Sequence, residues 1–419
     1  MSVSALPATT RIVMYDESHG SVLVDQWLSV SVSHDKHVGT ATVALPYAGS
    51  VATSLLQNPT HDYIGHYVAI YYRDFDDALF WGALTHIQWG WADGERAVQL
   101  TFESIFANTW RRVLAQTGDN SKFYNASVAS LEADLLAQRM MKSGLGVLYA
   151  SGGMFTSATY SGFTVNRGDS AQFTPWTITV PALHSPALSG TTLRMEQPSG
   201  SNMLDALLDI AERGDIAFTT TLAGTGAFEF DSTGTYQRND VSASVVLSDA
   251  WGTMTGIRVA RDYTVVRNMW LVKGDGNQTG QSKQWYQDGS AATIGIYEDT
   301  VTLPDVTAAD ALSAINTRQT NLYAAAIDTV DVTLNEGGGV LFNSTFGLRD
   351  KVTVYCHNLT AYTAALVVVG YKLDVNSNGL VSVAVTLNAN PRRLSEDVRP
   401  WQPGPGGRGG GGLFTLKDG

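Results

Sequence analysis

Apolar and polar residues alternate with period two along much of the chain, the pattern of half-buried strands. Thr42–Pro46 reads TVALP, and an alternating strand starting at Val68 reads VAIYY. Far downstream, Thr300–Pro304 reads TVTLP and a strand from Val352 reads VTVYC. Each of these strands leads through an irregular polar stretch into a longer one, LFWGALTHIQWGW in the first case and AALVVVGYKLDV in the second. Asp93-Gly94 and Asn378-Gly379 then predict two-residue turns, because both central residues of such a turn need positive φ. AVQLTFES and LVSVAVTL close the two hairpins.

Twenty-five positions separate Val68 from Asp93, and 26 separate Val352 from Asn378. Matched order and spacing predict a duplicated β-module. The front sections do not match. Thr42 precedes Val68 by 26 positions and Thr300 precedes Val352 by 52. The second copy is therefore expected to carry a longer helix (Ala308–Ala326, against Val51–Gln57 in the first) and an extra strand, Asp328–Asn335.

Between the copies the period changes to that of a helix. Leu131, Leu135, Leu136 and Met140 mark one helix within Ser127–Ser143, ended by Gly144. Leu204, Leu207, Leu208 and Ala211 mark a second within Gly200–Gly214, capped by Ser201 or Asn202 and closed by Gly214. Phe218–Leu222 and Ala227–Asp231 read as a hairpin, and Trp176–Val180 as a short strand in a Ser/Thr/Gly-rich stretch. The expected fold class is mainly β with an α+β middle region: two related β-barrel-like modules plus helices, ring-forming. The expected divisions are 1–109 for the first module, 110–255 for the middle region and 256–393 for the second module. Residues 394–419 form a Gly/Pro-rich linker with a short tail peptide, LFTLKDG.

Composition adds three constraints. Charged residues are 16% of the 419, below the usual quarter, while Trp and Tyr number 10 and 17. That combination fits surface buried against partners. The net charge of −12 disfavours specific nucleic-acid binding, which needs clustered cations. No apolar run reaches the roughly 18 residues that a membrane span requires. The single cysteine, Cys356, excludes an internal disulfide and is expected to be plainly buried.

The chemistry-bearing residues do not converge. His34 and His37 lie in one polar gap, and His61 and His66 flank another. Without a nameable third ligand they read as solvated turn histidines rather than metal ligands. Asp74, Asp76 and Asp77 read as a solvated loop tip. Asp374–Gly379 begins like a calcium loop, but Val385 stands where the closing Glu belongs. Glu103, Asp205, Glu229 and Asp231 are available carboxylates that nothing pairs. Gly337–Gly339 lacks the Lys of a phosphate loop. Trp81, Trp89 and Trp91 either line a sugar groove or pack on neighbouring strands, the second being favoured. No catalytic, cofactor-binding or metal residue is assigned, no cofactor is expected, and the chain reads as non-enzymatic.

The order of parts carries a resemblance. Trp27 follows an acidic residue (Asp25-Gln26-Trp27), then come TVALP, a V-x-I-Y strand and F-W-G-x-L. A G-S-N-M-L-D-A-L helix and an F-G-L-R-D-K-V-T-V step at Phe346–Val354 follow, before the last hairpin. Over residues 10–390 this resembles the tail-tip or baseplate hub proteins of tailed bacteriophages, including minor tail proteins of long-tailed phages. The resemblance implies a homotrimer whose two modules alternate around a ring, giving six similar positions. It implies tail-tube or distal tail ring proteins on one face, fibre or spike proteins on the other, and contact with the tape-measure protein. It places the chain in the virion, at the tail tip, after assembly in the host cytoplasm. An acidic lumen would let DNA leave without sticking. Many such proteins continue into a fibre or enzymatic domain, whereas this sequence ends on a Gly-rich tether, which assigns receptor binding to a separate fibre protein. The alternative is a tail protein that binds or cleaves carbohydrate through the tryptophans of the first module.

Overall fold

A computed structural model describes residues 10–16, 20–57, 66–74, 76–92, 95–107, 131–144, 157–160, 163–166, 171–173, 176–179, 181–189, 192–193, 202–224, 227–263, 266–273, 283–287, 295–302, 326–335, 337–358 and 362–389. Residues 308–325 of the expected helix at Ala308–Ala326, His61, the Asp93-Gly94 turn and the C-terminal linker with LFTLKDG lie outside the described residues.

The first module supplies β1 (Thr10–Tyr15), β2 (Ser21–Leu23), β3 (Ser29–Asp35), β4 (Val38–Pro46), α1 (Ser50–Gln57), β5 (Tyr67–Tyr72), β6 (Phe80–Ala92) and β7 (Glu95–Ser104). The middle region supplies β8 (Leu131–Glu132), α2 (Ala133–Gly144), β9 (Ser157–Tyr160), β10 (Phe163–Asn166), β11 (Ala171–Phe173) and β12 (Trp176–Thr179). It continues through β13 (Thr192–Leu193), α3 (Met203–Gly214), β14 (Phe218–Gly224) and β15 (Ala227–Ser232). Then come β16 (Val246–Ser248), β17 (Met254–Asp262), β18 (Met269–Lys273), β19 (Lys283–Gln287) and β20 (Glu298–Thr302). The chain closes with β21 (Ile327–Leu334), β22 (Lys351–Cys356), β23 (Tyr362–Asn376) and β24 (Val381–Asn388). The mainly-β expectation is borne out.

The duplication is visible in strand order. One thirteen-stranded sheet contains the run β3-β4-β7-β6-β5 and the run β17-β21-β24-β23-β22. Each pairing in one run is antiparallel, as is its counterpart in the other. One irregularity corresponds as well. The long strand slips register at Leu84/His86 in the first run and at Val368/Gly370 in the second. Among the described residues neither module closes as a barrel of its own. The two runs are instead joined edge to edge, because β3 also pairs with the second half of β23.

This topology corrects the sequence alignment of the two copies. The TVALP strand is β4, and its counterpart by pairing is β21, the strand expected to be extra. The first three residues of TVTLP, Thr300–Thr302, belong to β20, which pairs in parallel with β18 in a separate three-stranded sheet. With the right strands matched, 29 positions separate the start of β4 from that of β5, and 24 separate β21 from β22. The large mismatch in the front sections therefore disappears, and the additional material lies between β17 and β21.

Two local expectations also change. The second hairpin does not turn in two residues. The Asn376 carbonyl accepts from the Gly379 N–H, the Asn376 N–H donates to the Leu380 carbonyl, and Gly379 takes φ 80°. That is a type I turn followed by a left-handed glycine, the three-residue alternative to the tight turn. In the middle region α2 starts at Ala133, because Leu131 and Glu132 pair with β13. Asn202, not Ser201, caps α3, its Oδ1 accepting from the Leu204 and Asp205 N–H groups. Asp215 rather than Gly214 takes the left-handed closing position, at φ 55°, which a short polar side chain tolerates.

One apolar core runs through both modules, from Val30, Val32 and Val43 to Leu373, Val375 and Val383. A second core lies under α2 and α3 and reaches Tyr67, Ala83 and Phe106 of the first module. Cys356 is buried. No helix among the described residues is long and apolar enough to cross a membrane.

Candidate functional site at the joint between the modules

The pairing of β3 with β23 is the place where the sequence repeat becomes one object. Seven residue pairs run from Ser29↔Asn376 to Asp35↔Gly370. Val32 and Leu373 face each other in this register, and both are 0% exposed. Full burial of an aliphatic side chain contributes about 1.5–3 kcal/mol, so the joint is part of the core rather than a surface contact. On the outer face the Ser31 hydroxyl donates to Asp374 Oδ1 at 2.6 Å, and Lys372 Nζ lies 3.0 Å from Asp374 Oδ2. Asp374 is thus committed to the joint, not to a calcium loop. Gly370 is required by close approach: a Cβ there would lie 2.9 Å from the His34 carbonyl oxygen.

The β3–β4 turn carries the joint into the middle region. Lys36 takes φ 44° and donates its N–H to the Val369 carbonyl at 2.7 Å. His34 stacks on Tyr371 of the second module with centroids 5.7 Å apart. His37 meets Phe218 and Tyr236 edge-on, at 5.7 and 5.6 Å. Both residues are partly buried overall, and each Nδ1 is enclosed and has no hydrogen-bond partner among the described residues. The enclosed nitrogen governs protonation. Burial, reinforced by the Arg349 charge, pushes His34 down to about 4. Burial, with Lys36, His34 and Arg349, holds His37 well below its ordinary value. The solvated-turn reading of these histidines is therefore corrected: they are packing residues that stay neutral.

A salt bridge ties the same corner to the chain beyond the middle sheet. Arg238 donates twice to Asp350, at 2.9 and 2.7 Å. Asp350 also accepts from Asn239 Nδ2 and the Gly347 N–H. Tyr371 donates its hydroxyl to the Leu79 carbonyl, and Asn343 Nδ2 to the Tyr72 carbonyl. Four segments distant in sequence thus converge on one joint.

The other sequence candidates are scattered. Asp74 Oδ1 accepts from the Asp76 N–H. Glu103 lies on β7 and Asp205 in the first turn of α3, while Glu229 and Asp231 are two apart on β15. Trp81 packs among Tyr15, Tyr67 and Phe228. Trp89 is 60% exposed, and the Trp91 side chain lies outside the described residues. No group of three His, Cys, Asp or Glu among the described residues is arranged to hold a metal.

Of one cluster, sequence reasoning named Asp231 alone. His184 places Nδ1 2.8 Å from Asp134 Oδ2 and Nε2 3.1 Å from Asp231 Oδ1. The buried Asp134 also accepts from the Leu188 and Ser189 N–H groups, at 2.7 and 3.1 Å. Gln138 bridges the network, accepting from the His184 N–H and donating to Asp231. Burial would raise the Asp134 carboxyl, but these hydrogen bonds outweigh it and hold it low. The network serves as a clamp, fastening 181–189 to α2 and β15. Asp134→Ala strands two backbone donors and the imidazole, at a cost of about 3 kcal/mol. The expected readouts are a lowered urea midpoint and new proteolytic cleavage within 181–189.

No family model and no curated protein matches the sequence. Solved structures do. The chain is similar to the tail protein from Neisseria meningitidis MC58, at 12% identity and a TM-score of 0.54, with 92% of this chain and 99% of that one covered. It is similar to the prophage MuSo2 43 kDa tail protein from Shewanella oneidensis, at 10% identity and a TM-score of 0.54, covering 91% and 98%. It is also similar to prophage tail protein gp18 from Listeria monocytogenes EGD-e, at 10% identity and a TM-score of 0.51, covering 92% and 96%. At such identities the likeness is one of architecture. Along nearly its whole length, this chain has the fold of phage tail proteins.

Proposed function

We propose that the chain is the structural hub of a phage tail tip or baseplate. It joins the six-fold tail tube to three-fold fibre or spike components, and it lines the channel through which DNA leaves. The observation that carries this reading is the duplicated strand run joined in one sheet. Two similar modules per chain, in three chains, supply six similar positions to a tube and three identical ones to a fibre or spike. The shared fold with three tail proteins supports the same reading. The net charge of −12 suits a surface that DNA passes without binding. In this role the chain is structural, not catalytic. It works as a homotrimer within the virion and contacts tail-tube or distal tail ring proteins, fibre or spike proteins and the tape-measure protein. We propose the same divisions for the chain, with one addition: β16, which precedes residue 255, and β17, which crosses it, pair among the described residues only with strands of the second module.

Gold-conjugated antibody raised against this chain and applied to assembled particles tests the reading. Label confined to the tail tip is expected. Label spread along the tail or on the head would contradict it.

A further inference from the structure

The internal repeat predicts a contact that a single chain cannot make. In the joint, β3 fills the edge of β23 beyond the register slip. The counterpart of β23 is β6, and the counterpart of β3 is β17. Among the described residues no strand pairs with the outer edge of β17, and none lies along β6 beyond Leu84 on the side of β5. Among its described residues each chain thus contains one completed joint and the two separated halves of a second.

Exposure marks those halves. Matching the two runs through their register slips aligns Trp89 with Leu373 and Val259 with Val32. Leu373 and Val32 are 0% exposed, Val259 is only partly buried, and Trp89 is 60% exposed. A large aromatic left in water where its counterpart is core is the signature of a surface that another strand covers.

We infer that β17 of one copy pairs antiparallel with β6 of the next, in the register Arg258↔Gly90, Val259↔Trp89, Ala260↔Gln88. The occupant is a second copy of this chain because the contact repeats the joint already formed within it. The interface is heterologous, so successive copies close into a ring in which first and second modules alternate. This rests on the trimeric hub reading and gives it its subunit contact.

Gln88→Cys and Ala260→Cys test it, since both side chains are exposed and on the outer face, the face occupied by Lys372 and Ser33 in the completed joint. The double variant is treated with a short bis-maleimide, and its native mass is measured by sedimentation before treatment. Expected are a trimer by sedimentation and a covalent three-chain band on a denaturing gel. Each single variant should stay at one-chain mass alone and give two-chain bands only when the two are mixed. A trimer whose positions 88 and 260 do not link overturns this contact and leaves the hub reading standing. A monomer without linkage overturns both, and a link confined within one chain overturns the contact.

Discussion

Leu373→Ala is expected to lower the unfolding free energy by about 3 kcal/mol, within the roughly 2–5 kcal/mol range of buried leucine truncations. Leu373 is wholly buried against Val32 where the two modules meet. Its removal opens a cavity in a core that neither module can refill by itself. Trp89→Ala, at the matching position of the first module, has the opposite profile. Trp89 is largely exposed in the single chain, so a monomeric preparation is expected to change by less than about 0.5 kcal/mol. The assembled protein is expected to lose most of its trimer at micromolar concentration. Urea unfolding read against sedimentation separates the two effects. Equal loss of stability from both substitutions in the monomer would contradict the repeat equivalence.

Acid is expected to weaken the same joint. His34 is held at about 4 in the folded chain against an ordinary value of 6.5, so below pH 6.5 the unfolded chain binds more protons than the folded one. Stability is therefore complete above 6.5 and falls as the pH drops toward 4. From pH 7 to 5 the loss from His34 is about 2 kcal/mol by linkage, and His37 acts in the same direction. Denaturation midpoints at the two pH values check this. His34→Phe keeps a ring against Tyr371 and should flatten the pH dependence. An unchanged slope in that variant would assign the acid loss elsewhere.

Much of the fold was legible in the chain because its signals are local. The Tyr-ending strands, the long strands and the closing strands were all placed by alternation, and the Asn202-capped helix by its periodicity. What failed was equivalence across distance. TVALP and TVTLP look alike, yet β4 pairs within the large sheet and β20 does not. β4 pairs with β3 and β7, whereas β20 pairs with β18, and a five-residue likeness carries no information about such partners. The type of the second turn was missed for a smaller reason: Asn-Gly serves both a tight turn and a type I turn with a left-handed glycine.

The candidate site was less legible than the fold. His34 and His37 were visible as a pair, but a polar spacing such as HDKH reads as exposed. The rings that pack against them, Tyr371, Phe218 and Tyr236, all lie far along the chain. The Asp134–His184–Asp231 clamp draws on three segments with no motif between them. Trp89, expected to pack on neighbouring strands, is instead largely exposed in the single chain. Its exposure acquires a meaning only beside the burial of Leu373, a comparison that needs the register of both repeats.

Class averages of the purified chain by electron microscopy test the central claim most directly. The account predicts particles of three 45.0 kDa chains with a central opening ringed by six similar lobes, alternating in detail so that the symmetry is three-fold. A stable single-chain particle at micromolar concentration, or a closed assembly without a central opening, would contradict it.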